Sequence, residues 1–145
     1  MTRTFVAEPR LAYWPRPPMV VDASLIAAIV FDEPGQEDAV LALRGKQPVA
    51  PGLLRYEMAS IGAQKLRHGE LDLDETLACL NTLTAFDIEY GEIDPAAVVR
   101  LAQAYRITAY DASYLWLAGE LKAPLGTLDQ GLAAAAMNYL NPSAA

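Results

Sequence analysis

The sequence predicts an α/β fold in which helices cover a parallel sheet on both faces. From Met19 onward, short runs of β-branched residues alternate with segments of helical periodicity, which is the pattern of successive βαβ units. A length of 145 residues, of which 53% are apolar and 20% charged, suits one domain with a buried core. We therefore expect one folded domain.

The individual elements follow from the same patterns. Apolar and β-branched runs predict strands at Met19–Val21, Pro48–Ala50, Phe86–Tyr90 and Leu125–Leu128. Helical periodicity predicts helices at about 24–31, 36–44, 53–67, 73–84, 95–105, 110–122 and 130–140. Two helix starts carry clear signals, because Asp72 and Glu75 form a capping-box pattern and Pro95 follows Asp94 at a first helical position.

Residues 1–18 differ in composition from the rest of the chain. Four prolines disfavour any regular element there, and three aromatic residues supply apolar anchors. We expect a proline-rich N-terminal arm at 1–18, lying over the domain or a partner, and a domain at 19–145. The alternative is that translation naturally starts at Met19, which opens the first strand.

Membrane and targeting signals are missing from the sequence. The longest unbroken apolar run, Leu25–Phe31, is far shorter than the roughly 18 residues that indicate a membrane span. No apolar block precedes a small-residue cleavage site near the N-terminus. We expect a cytoplasmic protein that is not bound to a membrane.

Several classes of site are excluded by residue counts and missing motifs. A single cysteine, Cys79, excludes an internal disulfide and a thiolate zinc cage, and a single histidine, His68, excludes sites that need several imidazoles. The nine glycines form neither a dinucleotide-binding pattern nor a phosphate-binding loop, and the GxSxG motif of hydrolases is missing.

The net charge of −7 argues against binding nucleic acid through a broad basic face. It does not exclude chemistry on nucleic acid. Carboxylates that hold divalent cations invert the local charge, and the cations can then hold phosphate.

Carboxylates are the groups that remain to carry chemistry. Asp22 follows the first predicted strand and Asp129 follows the fourth, and open α/β sheets bind ligands beyond the carboxyl ends of their strands. Each aspartate has an alternative role as a helix cap or turn residue. Asp111 stands at a predicted helix start, where capping is again the ordinary role.

Glu57 is harder to explain by local structure. Leu53, Leu54 and Ile61 lie three or four positions away, so its carboxylate lies on or beside the apolar face of its helix. An ionised carboxylate is costly to desolvate there unless an arginine or a bound cation compensates it.

A cleft shared by Asp22, Glu57, Asp111 and Asp129 would concentrate negative charge. Divalent cations would relieve the repulsion, and oxygen-only ligands suit Mg²⁺ or Mn²⁺. The sequence therefore favours a metal-dependent site, provided that the fold brings these four residues together.

Four short segments carry a family resemblance by their order and spacing. They are Val20-Val21-Asp22-Ala23-Ser24, Leu53-Leu54-Arg55-Tyr56-Glu57, Thr108-Ala109-Tyr110-Asp111-Ala112-Ser113-Tyr114 and Pro124-Leu125-Gly126-Thr127-Leu128-Asp129. Together they resemble the PIN domain, and in particular the VapC-type toxins of bacterial toxin–antitoxin pairs. The resemblance runs from about residue 19 to residue 136.

The resemblance implies a three-layer α/β/α sandwich with a parallel sheet of four or five strands. It also implies an endoribonuclease that depends on Mg²⁺ or Mn²⁺. The central metal ligands would be Asp22 and Asp111, and Glu57 and Asp129 would bind directly or through water. One metal would activate a water and a second would stabilise the leaving oxygen.

Further roles and partners follow from the same resemblance. Ser24 and Thr127 would orient carboxylates or a water, and Arg55 is a candidate cation for the RNA substrate. A homodimer and a small antitoxin that covers the cleft are also implied. The arm at 1–18 is not part of the family pattern. Residues 137–142 also lack a clear signal for a final strand after the last helix, so a four-stranded sheet is a better expectation than a five-stranded one.

Two alternatives to this function remain open. One is a PIN-like scaffold that binds RNA or protein without catalysis, and the other is a PIN nuclease that acts outside any toxin pair. Phosphotransfer enzymes of related folds fit poorly, because Ala23 and Ser24 follow Asp22 where those enzymes need a second acid.

Overall fold

The computed structural model describes residues 16–142. Most of the predicted arm, residues 1–15, lies outside the described residues. The first strand begins at Pro18, so the last residue of the range assigned to the arm belongs to the sheet.

A four-stranded parallel sheet forms the middle of the fold. Its strands are β1 (Pro18–Val21), β2 (Gln47–Pro51), β3 (Glu89–Gly91) and β4 (Leu125–Gly126). They lie in the order β3-β2-β1-β4, and every neighbouring pair is parallel. This arrangement confirms the predicted α/β class, and within residues 16–142 the sheet has four strands rather than five.

Helices pack on both faces of this sheet and complete three layers. They are α1 (Ala23–Val30), α2 (Gln36–Leu43), α3 (Leu53–Arg67), α4 (Leu73–Asn81), α5 (Pro95–Tyr105), α6 (Ala109–Leu121) and α7 (Gln130–Leu140). On one side, α1 contacts both α2 and α3, and α3 contacts α4. On the other side, α6 contacts β1, β2 and β4 and is flanked by α5 and α7.

The structure corrects two of the predicted strands. The third was expected at 86–90 and instead spans Glu89–Gly91, because Thr82–Phe86 forms a 3-10 helix and Asp87 then adopts a left-handed conformation with φ 50°. The fourth was expected to reach Leu128 and ends at Gly126. Beyond Gly126, the chain turns and the Thr127 hydroxyl bonds to Asp22 instead.

The core surrounds β1, whose Val20 and Val21 side chains are fully buried. Leu54 and Met58 of α3 reach it from one side, and Tyr114 of α6 belongs to the same cluster. Helices α3 and α6, which carry two of the predicted acids, thus both contribute to the core around β1.

Within residues 16–142, no helix is long and apolar enough to cross a membrane.

Gly126 allows β4 to approach this core closely. A Cβ atom at this position would lie 2.6 Å from Met19 Cε and 2.9 Å from Leu25 Cδ1. We expect Gly126→Ala to lower the free energy of unfolding by roughly 1–3 kcal/mol, the usual cost of overpacking, as measured by urea denaturation.

Gly52→Ala is the matched control for this variant. A Cβ atom at Gly52 would meet only Arg55 Nη2, at 3.8 Å, so we expect a change within about 0.5 kcal/mol. Equal unfolding free energies for the two variants would contradict this account of Gly126.

Candidate active site

A cavity of about 200 Å³ lies beyond the carboxyl ends of β1 and β4. The four acids singled out in the sequence, Asp22, Glu57, Asp111 and Asp129, all line it. The structure thus brings together side chains from α3, from the first turn of α6 and from the loops that follow β1 and β4. Ala23, Ser24, Ile61 and Tyr114 complete the lining.

Asp22 is the most buried of these acids, with only 5% of its surface exposed. Its Oδ1 atom accepts hydrogen bonds from Ser24 Oγ at 2.7 Å and from the Leu25 backbone N–H at 3.0 Å, and its Oδ2 atom accepts one from Thr127 Oγ1 at 2.5 Å. A carboxylate offers about four lone-pair sites. These three donors therefore leave Asp22 capacity for one further partner.

The two hydroxyls that hold Asp22 are themselves held by the backbone. Ser24 Oγ accepts from the Leu128 N–H at 2.9 Å, and Thr127 Oγ1 accepts from the Asp129 N–H at 2.9 Å. Each hydroxyl has one proton, which it donates to Asp22. The contacts of Ser24 and Thr127 thus fix the orientation of the carboxylate.

Glu57 lies in the second turn of α3 and receives the Tyr114 hydroxyl. The Tyr114 Oη to Glu57 Oε1 distance is 2.6 Å. Burial and the adjacent Glu57 raise the pKa of Tyr114, so the phenol stays protonated and donates. Tyr114 was not predicted as a site residue, although its position three residues after Asp111 on one helix is a signal that places both on the same face.

Arg55 does not compensate Glu57. Its guanidinium carbon lies 4.3 Å from the centroid of the Tyr90 ring, and Arg55 is not among the residues that line the cavity. Within residues 16–142, no Lys, Arg or His forms an ion pair with Glu57. The predicted alternative of a salt bridge to a nearby arginine is therefore wrong for this part of the chain.

Capping explains Asp22 and Asp129 in part but does not explain Asp111. Asp22 caps α1, and Asp129 caps α7 by accepting from the Leu132 N–H at 2.9 Å. The cap of α6 is Thr108, whose hydroxyl accepts from the Asp111 N–H at 3.1 Å. The alternative of a capping role for Asp111 is therefore wrong. Its carboxylate lies in the first turn, where the helix dipole favours negative charge.

The electrostatics of the cavity disfavour full ionisation of its acids. Burial raises the pKa values of Asp22, Glu57 and Asp111. The neighbouring carboxylates raise them further, with Asp129 acting on both Asp22 and Asp111. Hydrogen bonds from Thr127, Ser24 and Tyr114 oppose these shifts. A cation that entered the cavity would relieve this repulsion.

The lining of the cavity fits Mg²⁺ or Mn²⁺ in its donor chemistry. Its metal-binding groups are carboxylates, with no imidazole or thiolate among the described lining residues. Within residues 16–142, no three His, Cys, Asp or Glu side chains are close enough together to enclose a metal ion. Mg²⁺ keeps several water ligands and needs only one or two carboxylates, so an open acidic cavity is compatible with it.

This combination of fold and acidic cavity matches a known protein family. A family model of the PIN domain matches residues 19–137, so the chain belongs to the PIN-domain family. Among curated proteins, it is 36% identical over 121 residues to Ribonuclease VapC3 of Pyrobaculum aerophilum, covering 79% of this chain and 92% of that protein.

A solved structure agrees with this assignment. The crystal structure of PAE2754 from Pyrobaculum aerophilum superposes with a TM-score of 0.67 at 25% sequence identity. The match covers 88% of this chain and 90% of PAE2754. The predicted PIN-like, VapC-like character of the chain is therefore confirmed.

The raised pKa values predict how the stability of the metal-free protein changes with pH. Carboxyls whose pKa is raised by folding keep protons that the unfolded chain has lost, so their stabilising contribution is full below the unfolded pKa of about 4. This stabilising contribution is lost as pH rises through the pKa values that the carboxyls have in the folded protein. We expect the free energy of unfolding in EDTA to fall as pH rises above about 4.

Asp111→Asn should make the free energy of unfolding less dependent on pH. The substitution removes one carboxyl with a raised pKa and also removes its repulsion of the other carboxylates. Glu120→Gln, an exposed acid near the other end of α6, is the control and should leave the decline unchanged. Urea titrations across the pH series measure both. The same pH dependence in Asp111→Asn and wild type would contradict the electrostatic account.

Proposed function

We propose that this protein is a metal-dependent endoribonuclease that cleaves RNA phosphodiester bonds as the toxin of a toxin–antitoxin pair. The observation that carries the proposal is the convergence of four carboxylates in one cavity at the carboxyl edge of a PIN-domain sheet. The similarity to a protein named Ribonuclease VapC3 supports RNA as the substrate.

The four acids have different proposed roles. Asp22 and Asp111 are the central ligands of Mg²⁺ or Mn²⁺, and Glu57 and Asp129 bind directly or through water. When bound, the metal supplies an activated water and stabilises the leaving oxygen of the phosphodiester. The three donors on Asp22 and the Tyr114 hydroxyl on Glu57 hold these carboxylates in place, which reduces reorganisation during the reaction.

Water is the proposed nucleophile. The described residues that line the cavity include no cysteine, histidine or lysine. The Ser24 hydroxyl donates to Asp22 and the Tyr114 hydroxyl donates to Glu57, and both bonds hold carboxylates that are proposed to bind metal. A metal-activated water then supplies the nucleophile, so no side chain needs to become covalently attached to phosphorus.

The proposed partners follow from the VapC-like family. We propose a cytoplasmic homodimer that is neutralised by a small antitoxin, whose C-terminal segment covers the cavity. Leu73 and Leu77 of α4 are large apolar residues with about half of their surface exposed, which supports a protein contact on that helix. Coexpression with the protein encoded beside this gene tests the pairing, and unchanged RNA cleavage in its presence would contradict it.

The nuclease is tested with purified protein and a mixed pool of structured RNA, with Mg²⁺ or Mn²⁺ and with EDTA. We expect cleavage that needs metal and that Asp111→Asn abolishes. Thr127→Val removes one donor from Asp22 and should reduce the rate about 10- to 100-fold, as loss of a group that supports a metal ligand usually does. Glu120→Gln is the control and should cleave normally.

Two results would contradict the nuclease. Equal cleavage by Asp111→Asn and wild type would show that the acidic cavity is not the site of cleavage. Absence of cleavage by wild type, together with absence of metal-induced stabilisation in thermal unfolding, would favour the alternative of a non-catalytic scaffold that binds RNA or protein.

A further inference from the structure

A second groove adjoins the acidic cavity. It has a volume of about 400 Å³ and shares Glu57 and Ile61 with the cavity. Apart from Glu57, its described lining is uncharged and includes no lysine or arginine, and Ser60 contributes a hydroxyl and Gln64 an amide. A molecule larger than the acidic cavity can therefore continue from it into a groove whose one described charged residue is the shared Glu57.

Two exposed tyrosines border this groove. Tyr56 on α3 is 77% exposed and Tyr110 on α6 is 62% exposed. Each is the sequence neighbour of a cavity acid, Glu57 or Asp111. Neither phenol hydroxyl has a hydrogen-bond partner within residues 16–142. Their exposure argues against a role in core packing, so the two rings are available to a ligand.

We propose that the groove binds an unpaired nucleotide next to the cleaved phosphodiester, with its base stacked against Tyr56 and Tyr110. This inference rests on the proposed nuclease function and assigns Tyr56 and Tyr110 to the nucleotide beside the cleaved bond. Bases in an A-form duplex are stacked on one another and cannot present a face to a side chain, whereas bases in loops can stack on aromatic rings.

The charge of the protein favours a base as the occupant of the groove. A net charge of −7 weakens contacts to the phosphate backbone, which normally depend on lysine and arginine. Stacking provides binding energy that does not depend on charge and tolerates any base. Ser60 and Gln64 supply polar groups suited to the edge of a base.

The test measures RNA binding separately from cleavage, in an Asp111→Asn background. The probe is a short single-stranded RNA that contains 2-aminopurine, whose fluorescence is quenched when it stacks. The variants are Tyr56→Leu and Tyr110→Leu, each compared with the corresponding Tyr→Phe change. Val99→Ala alters an exposed apolar residue of α5 that lines neither the groove nor the cavity and is the control.

We expect each Leu variant to weaken binding about 5- to 100-fold, the range for loss of one base–aromatic stack, and to reduce the quenching. The Phe variants and Val99→Ala should keep both. A duplex of the same sequence should bind weakly and should not respond to the substitutions. Circular dichroism checks that each variant is folded.

Three results would overturn the groove assignment: unchanged binding and quenching in both Leu variants, equal loss in the Phe variants, or substitutions that alter only self-association or binding of the antitoxin. If wild type cleaves RNA and the tyrosine substitutions do not change RNA binding, the groove assignment is rejected and the proposed nuclease function stands. Loss of stacking with no cleavage by wild type would support RNA binding in the groove and reject the nuclease.

Discussion

The arrangement of the site depends on how a buried carboxylate is held at the end of β1. Asp22 accepts from the Leu25 backbone, from Ser24 and from Thr127, so one side chain joins β1, the start of α1 and the loop after β4. A buried carboxylate is stable only when its oxygens have such partners. The bond to Thr127 also accounts for the early end of β4, and it places Asp129 at the cavity through the Asp129 N–H bond to the same hydroxyl.

The fold sets two electrostatic effects against each other around Asp22. Four carboxylates line one cavity, and three of them lie at the N-terminal ends of α1, α6 and α7. A helix N-terminus favours a nearby negative charge by about 0.3–1 kcal/mol, which offsets part of the repulsion. Burial raises the pKa values of Asp22, Glu57 and Asp111, and the remaining repulsion raises them further. The imbalance supports the proposal of a cation at this position, because a cation reverses the sign of the local charge.

Neighbouring residues on two helices connect the proposed chemistry with proposed substrate positioning. Helix α3 contributes Tyr56 beside Glu57, and α6 contributes Tyr110 beside Asp111. Successive residues on a helix point about 100° apart, so one turn can direct an acid into the cavity and a ring toward the groove. The same two helices meet through the bond from Tyr114 to Glu57. Their relative position therefore sets the spacing between the acids and the rings.

Local patterns in the sequence were sufficient to predict the α/β class and the bounds of α3, α5 and α7. Together with the family resemblance they singled out the four acids that the structure places in one cavity; their binding of metal stays a prediction. These features depend on periodicity, caps and strand ends, which are properties of short segments. The short β4 and the partner of Glu57 were decided by the tertiary structure. Tyr114 and Glu57 are 57 positions apart, and Thr127 and Asp22 are 105 apart. Only the packing of α6 and β4 around β1 brings such groups within hydrogen-bond distance, because no local pattern specifies which distant donor reaches a buried acceptor.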